Sequence, residues 1–176
     1  MSTLTLVSPQ AALADSYRAL VAEFKDSGGQ LVPFVLGFDH SDFPAFLARL
    51  DDNAQGLGLP EGFVPHSSFW LVDESGEVLA VSNIRHRLTA SLLREGGHIG
   101  YGVRPSARGK GYGTALLQHS LAATAQLGIT RALVTCDRNN RASARVILRN
   151  GGVLEDEVVS AQRGVVVQRY WVELIR

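Results

Sequence analysis

Apolar positions along the chain recur at two periods, and the switch between them divides the sequence. Residues 3–7 alternate and predict a short strand. Ser8-Pro9 reads as a helix N-cap with proline at the first helical position. Leu13, Tyr17, Leu20, Val21 and Phe24 then follow at helical spacing, and Gly28-Gly29 stops the helix. A second helix is predicted over residues 41–50, with Phe43, Phe46, Leu47 and Leu50 on one side. Residues 51–65, rich in glycine, proline and acids, read as a loop.

Beyond that loop the period becomes that of strands. Residues 68–72 and 78–87 flank Asp73-Glu74-Ser75-Gly76, a hairpin signal. A connection through Leu93 leads to a strand over 98–103, and a glycine-rich turn leads to a helix over 113–127. An apolar strand over 132–136 and a helix over 141–149, closed by Asn150-Gly151-Gly152, come next. Strands over 153–159 and 165–174 end the pattern. The order β-α-α-β-β-β-α-β-α-β-β predicts an α/β (α+β) domain, a mixed sheet with helices packed on it. No internal repeat or low-complexity segment interrupts it.

Composition narrows this further. The chain has 176 residues, 45% hydrophobic and 19% charged, which fits one globular domain and excludes intrinsic disorder. One cysteine, Cys136, excludes an internal disulfide framework and a multi-cysteine metal cluster, so no metal is expected. No stretch approaches the length of a membrane span, and the start lacks a basic signal-peptide region, so a cytoplasmic protein with no membrane partner is expected. The net charge of +0 argues against a nucleic-acid partner held by bulk charge. That zero is a cancellation. Residues 1–80 hold three cations against eleven acids, and residues 81–176 hold fourteen against six. The pattern reads either as two solvated faces that attract each other or as an anion-holding half beside one that attracts a cation.

The most informative run is Val103-Arg104-Pro105-Ser106-Ala107-Arg108-Gly109-Lys110-Gly111-Tyr112-Gly113-Thr114. It joins a strand to a helix N-terminus, where unpaired N–H groups and the helix dipole favour an anion. Its glycines allow close backbone approach, and Arg104, Arg108 and Lys110 add positive charge. A P-loop needs Gly-x4-Gly-Lys-[Ser/Thr], and arginine at 104 and Gly111 after Lys110 break it. A dinucleotide fingerprint needs Gly-x-Gly-x-x-Gly directly after a first strand, which this late turn is not. Asp137, at the end of the next strand, keeps that reading as a weak alternative.

The run resembles the acyl-CoA-binding motif of the GNAT superfamily of N-acetyltransferases, Arg/Gln-x-x-Gly-x-Gly/Ala, with Arg108, Gly111 and Gly113 in its defining positions. The preceding Val103-Arg104-Pro105 is similar to that family's strand-end segment. Asn140 to Gly151 resembles its Asn-x-x-Ala/Ser helix ending in glycine. Gly96-Gly97-His98-Ile99-Gly100-Tyr101 and Asn150-Gly151-Gly152 look like a predicted bacterial acetyltransferase subgroup. The resemblance implies a single-domain, mostly antiparallel mixed sheet flanked by helices. Residues 67–176 would form the acyl-CoA-binding core, and residues 1–66 would shape the acceptor site within the same domain.

It further implies acetyl transfer from acetyl-CoA to a small-molecule primary amine by direct attack in a ternary complex. The pyrophosphate would lie over Arg108, Gly109, Lys110, Gly111, Tyr112 and Gly113, with Thr114 offering its hydroxyl. Pantetheine would bond main chain near Val103, and Asn140 and Ser143 would reach it or brace the strand end. Arg141, Arg145 and Arg149 are candidates for the 3′-phosphate or a plain exposed helix face. Many members carry an acid tyrosine at the position of Ile147. This departure makes Tyr101 the best replacement and leaves a non-catalytic acyl-CoA-binding domain as the alternative. Glu95 and His98 are the nearest candidate bases. His40, His86 and Cys136 read as surface, structural and buried packing residues respectively. Homodimers are frequent in this fold, and the acidic half favours a cationic amine as acceptor.

Overall fold

The computed structural model describes residues 2–174. Seven strands and four helices follow the order predicted above. They are β1 (Thr5–Val7), α1 (Ala14–Asp26), α2 (Phe43–Ala54), β2 (His66–Val72), β3 (Val78–Arg85), β4 (Ile99–Val103), α3 (Tyr112–Gln126), β5 (Arg131–Asp137), α4 (Arg141–Arg149), β6 (Val153–Val159) and β7 (Val166–Glu173). Ser8-Pro9 does not cap the first helix. A 3-10 turn, Ala11–Leu13, intervenes, and α1 begins without a side-chain cap. For α2 the cap is Asp42, whose carboxylate accepts the Ala45 N–H at 3.0 Å, and the helix continues four residues beyond the expected Leu50. The Asn53 side chain explains the extension. It is buried and donates to the Leu57 carbonyl at 3.1 Å, so the polar tail of the helix is held from inside.

The strands form two sheets, β1-β2-β3-β4 and β5-β7-β6, and every recorded pairing is antiparallel. A parallel dinucleotide-binding sheet is thereby excluded. One core lies between the first sheet and α1 and α2, where Tyr17 stacks on Trp70 at 4.6 Å and on Phe46 at 5.2 Å. A second lies beneath α3 and α4 and spans both sheets through Ile84, Ile99, Leu117, Val134, Ile147 and Tyr170. Burying each such side chain contributes about 1.5–3 kcal/mol, which keeps the two sheets side by side.

Alternation along β4 sets what lies on each face. Ile99, Tyr101 and Val103 pack toward α3 and α4. Gly100 and Gly102 face the other way, against the Val32-Pro33 crossing that follows α1. A Cβ on Gly102 would run into the Val32 carbonyl oxygen and sit 3.1 Å from Phe24 Cζ, so main chain meets main chain there.

Candidate active site

The two sheets meet edge to edge at a clasp between His98 and Leu133. The His98 N–H donates to the Leu133 carbonyl at 2.7 Å, and the Leu133 N–H donates to His98 Nδ1 at 2.9 Å. On β4, the bonds from Arg85 N–H to the His98 carbonyl and from Arg104 N–H to the Leu79 carbonyl fix the ladder phase. Amides of Gly100 and Gly102 therefore face β3, and those of Tyr101 and Val103 face the opposite edge. On β5, the bonds from Arg138 N–H to the Val166 carbonyl and from Leu174 N–H to the Thr130 carbonyl turn the amides of Thr135 and Asp137 toward the same gap. Among the described residues no main-chain bond joins Tyr101 or Val103 to β5. Past the clasp the molecule thus presents strand edges that an extended arm can pair with.

The glycine loop lies just beyond the end of β4. The N–H groups of Gly109 through Thr114 have no hydrogen-bond acceptor among the described residues, so six consecutive donors are left for an anion. The glycines serve two purposes. Gly109 and Gly111 have φ of +77° and +86°, and a Cβ on either would meet open space, so left-handed backbone rather than crowding demands them. Gly113 instead packs between β4 and α4, where a Cβ would touch Val146 Cγ2 at 3.4 Å and Val103 Cγ2 at 3.5 Å. Tyr112 and Thr114 are half-buried in the first turn of α3, and Lys110 is exposed.

The cations of the loop separate. Arg108 Nε donates to the Val103 carbonyl at 3.1 Å, with its guanidinium 5.5 Å from the Phe24 ring. Arg104 is not part of the anion site. It turns away to Glu23 at 2.7 Å and Glu77 at 2.9 Å, and Glu23 also accepts from Ser106 N–H and Oγ. Glu23 was not visible as a functional neighbour in sequence, because 81 residues separate it from Arg104.

Helix α4 stands beside the gap between β4 and β5. Asn140 is its N-cap, accepting the Ser143 N–H at 3.1 Å, and Ser143 Oγ accepts from the Tyr101 hydroxyl at 3.2 Å. Asn150 Nδ2 donates to the carbonyls of Thr114 (3.2 Å) and Val146 (2.9 Å), which ties the end of α4 to the start of α3. Arg141, Arg145 and Arg149 are exposed and make no ion pair among the described residues. Ile147 is wholly buried in the core.

Electrostatics sort the titratable groups. Burial pushes the Tyr101 phenol up to about 12. Burial, with the Arg85 charge second, pushes His98 down to about 4, so the ring is neutral at pH 7. Because His98 Nδ1 accepts the Leu133 amide, Nε2 carries the proton. Glu95 sits on a π-helical turn, Leu92–Gly96, with its carboxylate half-exposed and 3.9 Å from Arg94, and its carbonyl accepts from Thr135 Oγ1 at 2.7 Å. Cys136 is buried with its thiol pushed up to about 11, mainly by burial, which makes it a poor nucleophile. His86 Nε2 lies 2.7 Å from Ser67 Oγ, and His40 Nδ1 lies 3.1 Å from the Phe38 carbonyl. Asp137 makes a two-pronged pair with Arg163, both bonds 2.9 Å, which pins the β6–β7 turn to the end of β5.

No helix among the described residues is long and apolar enough to cross a membrane, and no group of three or more metal-ligating side chains occurs among them. No curated protein matches the chain. Among solved structures, it is similar to the acetyl transferase of Salmonella typhimurium that modifies the N-terminal serine of ribosomal protein L7/L12, with 20% identity, 97% and 95% of the two chains covered, and a TM-score of 0.69. It is also similar to the microcin C7 self-immunity acetyltransferase MccE in complex with acetyl-CoA and AMP (19% identity, 97% and 92% covered, TM-score 0.68). A third is the spermidine N-acetyltransferase of Vibrio cholerae (13% identity, 97% and 94% covered, TM-score 0.63). At these identities the likeness shows the fold. The model of the acetyltransferase (GNAT) family matches residues 30–151, a span that holds the clasp, the donor loop and α4. The chain therefore belongs to the GNAT acetyltransferase family, whose acetyl donor is acetyl-CoA.

Proposed function

We propose that this chain transfers an acetyl group from acetyl-CoA to a primary amine by direct attack within a ternary complex. The observation that carries this is the parting of β4 from β5 beyond His98 and Leu133, continuous with the unpaired donors of Gly109–Thr114. These residues fit the donor: loop amides and Lys110 would hold its phosphates, and the edge of β4 at Tyr101 and Val103 would pair with its extended arm. When bound, the donor supplies a thioester carbonyl and a thiolate leaving group.

The chain's own groups divide the remaining work. The Tyr101 N–H faces the gap and can polarise the carbonyl oxygen. Attack forms the C–N bond and breaks the C–S bond. The Tyr101 hydroxyl, protonated at neutral pH, gives its proton to the departing sulfur, in place of the tyrosine that Ile147 replaces. The Glu95 carboxylate takes the amine's proton, directly or through water. His98, its lone pair engaged by Leu133, holds the clasp rather than acting as base. Asn140 and Ser143 position Tyr101, and residues 1–66 wall the acceptor side through the Val32-Pro33 crossing.

The structural neighbours act on an N-terminal serine and on spermidine, so the fold leaves the acceptor open. The test is release of CoA thiol when acetyl-CoA is mixed with a panel of amines. Turnover with at least one amine is expected. Acetyl-CoA at millimolar concentration that neither binds nor raises Tm would overturn the reading. Tight CoA binding without turnover on any amine would instead select the non-catalytic acyl-CoA-binding domain, which the buried Ile147 favours.

A further inference from the structure

On the face of the first sheet opposite α3, a pocket of about 300 Å³ opens beside the closed end of the cleft. It is lined by Phe34, Phe63, His66, Arg85 and Leu92. Arg85 is its one formal charge. The guanidinium lies 5.7 Å from the Phe34 ring, and Nη1 donates to the carbonyls of Gly96 (3.2 Å) and Gly97 (3.0 Å). Nε and Nη2 have no hydrogen-bond partner among the described residues, and no carboxylate there lies within 4.0 Å.

That isolation sets Arg85 apart. Arg104 and Arg169, whose side chains are each 11% exposed, are each held by two carboxylates: Glu23 and Glu77 for the first, Glu155 and Asp156 for the second. Sheltered charge normally has such a counter-charge, because removing it from water is costly. Among the described residues Arg85 has carbonyl dipoles as its hydrogen-bond partners and no carboxylate, and burial lowers its pKa. His66 is also aimed at this space. It is 2% exposed, its Nδ1 is 2.8 Å from Asn83 Nδ2, and its Nε2, which then carries the proton, has no partner among the described residues. The pocket thus offers a cation and an imidazole N–H beside aromatic rings.

Its position suits the acceptor. The carbonyls that Arg85 holds belong to the two residues before His98 and its clasp to Leu133. Phe34 follows Pro33, whose Cβ lies 3.5 Å from where a Gly100 Cβ would stand on β4. The acidic N-terminal half, which predicts a cationic acceptor, places no carboxylate among the lining residues.

We propose that this pocket receives an anionic group of the acceptor, a carboxylate or a phosphate, with Arg85 as its counter-charge and Phe34, Phe63 and Leu92 around the apolar body that carries it. The assignment rests on the acetyl-transfer reading above and names its substrate class. It is tested with amine pairs that differ in the anion alone, phenylalanine against phenethylamine for the carboxylate and phosphoethanolamine against ethanolamine for the phosphate. CoA release is followed, and N-acetylphenylalanine and inorganic phosphate are titrated calorimetrically onto the protein without acetyl-CoA. At least a tenfold higher kcat/KM for the anionic member of one pair is expected, with saturable binding of the matching probe that R85Q abolishes and R85K partly restores. Phe63→Ala, at an exposed ring that can be removed without disturbing the core, should weaken the aromatic probe several-fold. Equal or better use of the neutral or cationic members overturns the proposal, as does absence of binding by both probes. Because the titrations need no turnover, they decide it even where acetyl transfer fails, and acetyl-CoA binding separately reports on the catalytic reading.

Discussion

The Tyr101 hydroxyl donates to Ser143 Oγ at 3.2 Å, so a strand residue and a residue of the first turn of α4 are joined beside the cleft. Ser143 is held in turn by the Asn140 cap. With its pKa pushed up to about 12 by burial, the phenol keeps its proton at neutral pH and can act there only as a donor. Tyr101→Phe should lower kcat about 10²-fold with the acetyl-CoA Kd little changed. Ser143→Ala should have a smaller effect, because it removes the partner and not the proton. CoA-release kinetics beside calorimetric titration check both, and an unchanged rate in Tyr101→Phe would remove that residue from the mechanism.

Mild acid should destabilise the fold through its two buried histidines. His66 and His98 are buried with pKa values of about 4, against about 6.5 when unfolded. Between those values the unfolded chain binds more protons than the native one, so stability falls as pH drops through that window. From pH 7 to pH 5 each histidine costs roughly 2 kcal/mol by linkage. Urea unfolding across this range should show the loss, and His98→Gln should flatten part of it.

Gly102→Ala should destabilise by about 1–3 kcal/mol, because the new methyl meets the Val32 carbonyl and main chain must shift. Gly100→Ala, with only an ordinary 3.5 Å contact to Pro33, should cost much less. The ordering of the two urea midpoints is the measurement.

At the donor loop, Gly111→Ala forces a side chain into a left-handed backbone and should cost about 1–2 kcal/mol of local order. Gly111→Glu should in addition abolish acetyl-CoA binding by placing negative charge beside the phosphate donors. Thermal shift with and without acetyl-CoA separates the two effects.

Arg104→Ala removes the cation shared by Glu23 and Glu77 and should lower stability by about 1–2 kcal/mol. Acetyl-CoA affinity should fall less than about threefold, because Arg104 points away from the loop donors. A large loss of affinity with unchanged stability would return Arg104 to the anion site.

Much of the fold was legible in the chain. The spacing of Tyr17, Leu20, Val21 and Phe24, the hairpin at Asp73–Gly76 and the 141–149 helix all stand where periodicity and turn chemistry placed them. Ser8-Pro9 misled, because capping residues are common in turns as well as at helix starts. The Phe34–Gly37 turn, which buries Val35 and Leu36, has no periodic pattern to announce it. The donor loop was legible for a physical reason: the left-handed backbone at positions 109 and 111 strongly favours glycine, so its chemistry is marked in neighbouring letters. His98 was singled out, but only packing shows its lone pair spent on Leu133.

By itself, then, the sequence determined what is local: element order, the Arg108–Thr114 loop, the Asn140 cap and the absence of a tyrosine at 147. Tertiary structure decided what depends on residues brought together from afar. It turned Arg104 from the loop to Glu23, joined Tyr101 to Ser143, parted β4 from β5 and set Arg85 against main-chain carbonyls, with no carboxylate partner among the described residues. Helix, turn and cap preferences act within a few residues and are written in neighbouring letters. Burial, counter-charge and the phase of a strand edge depend on the whole packed chain, and one-dimensional spacing does not carry them.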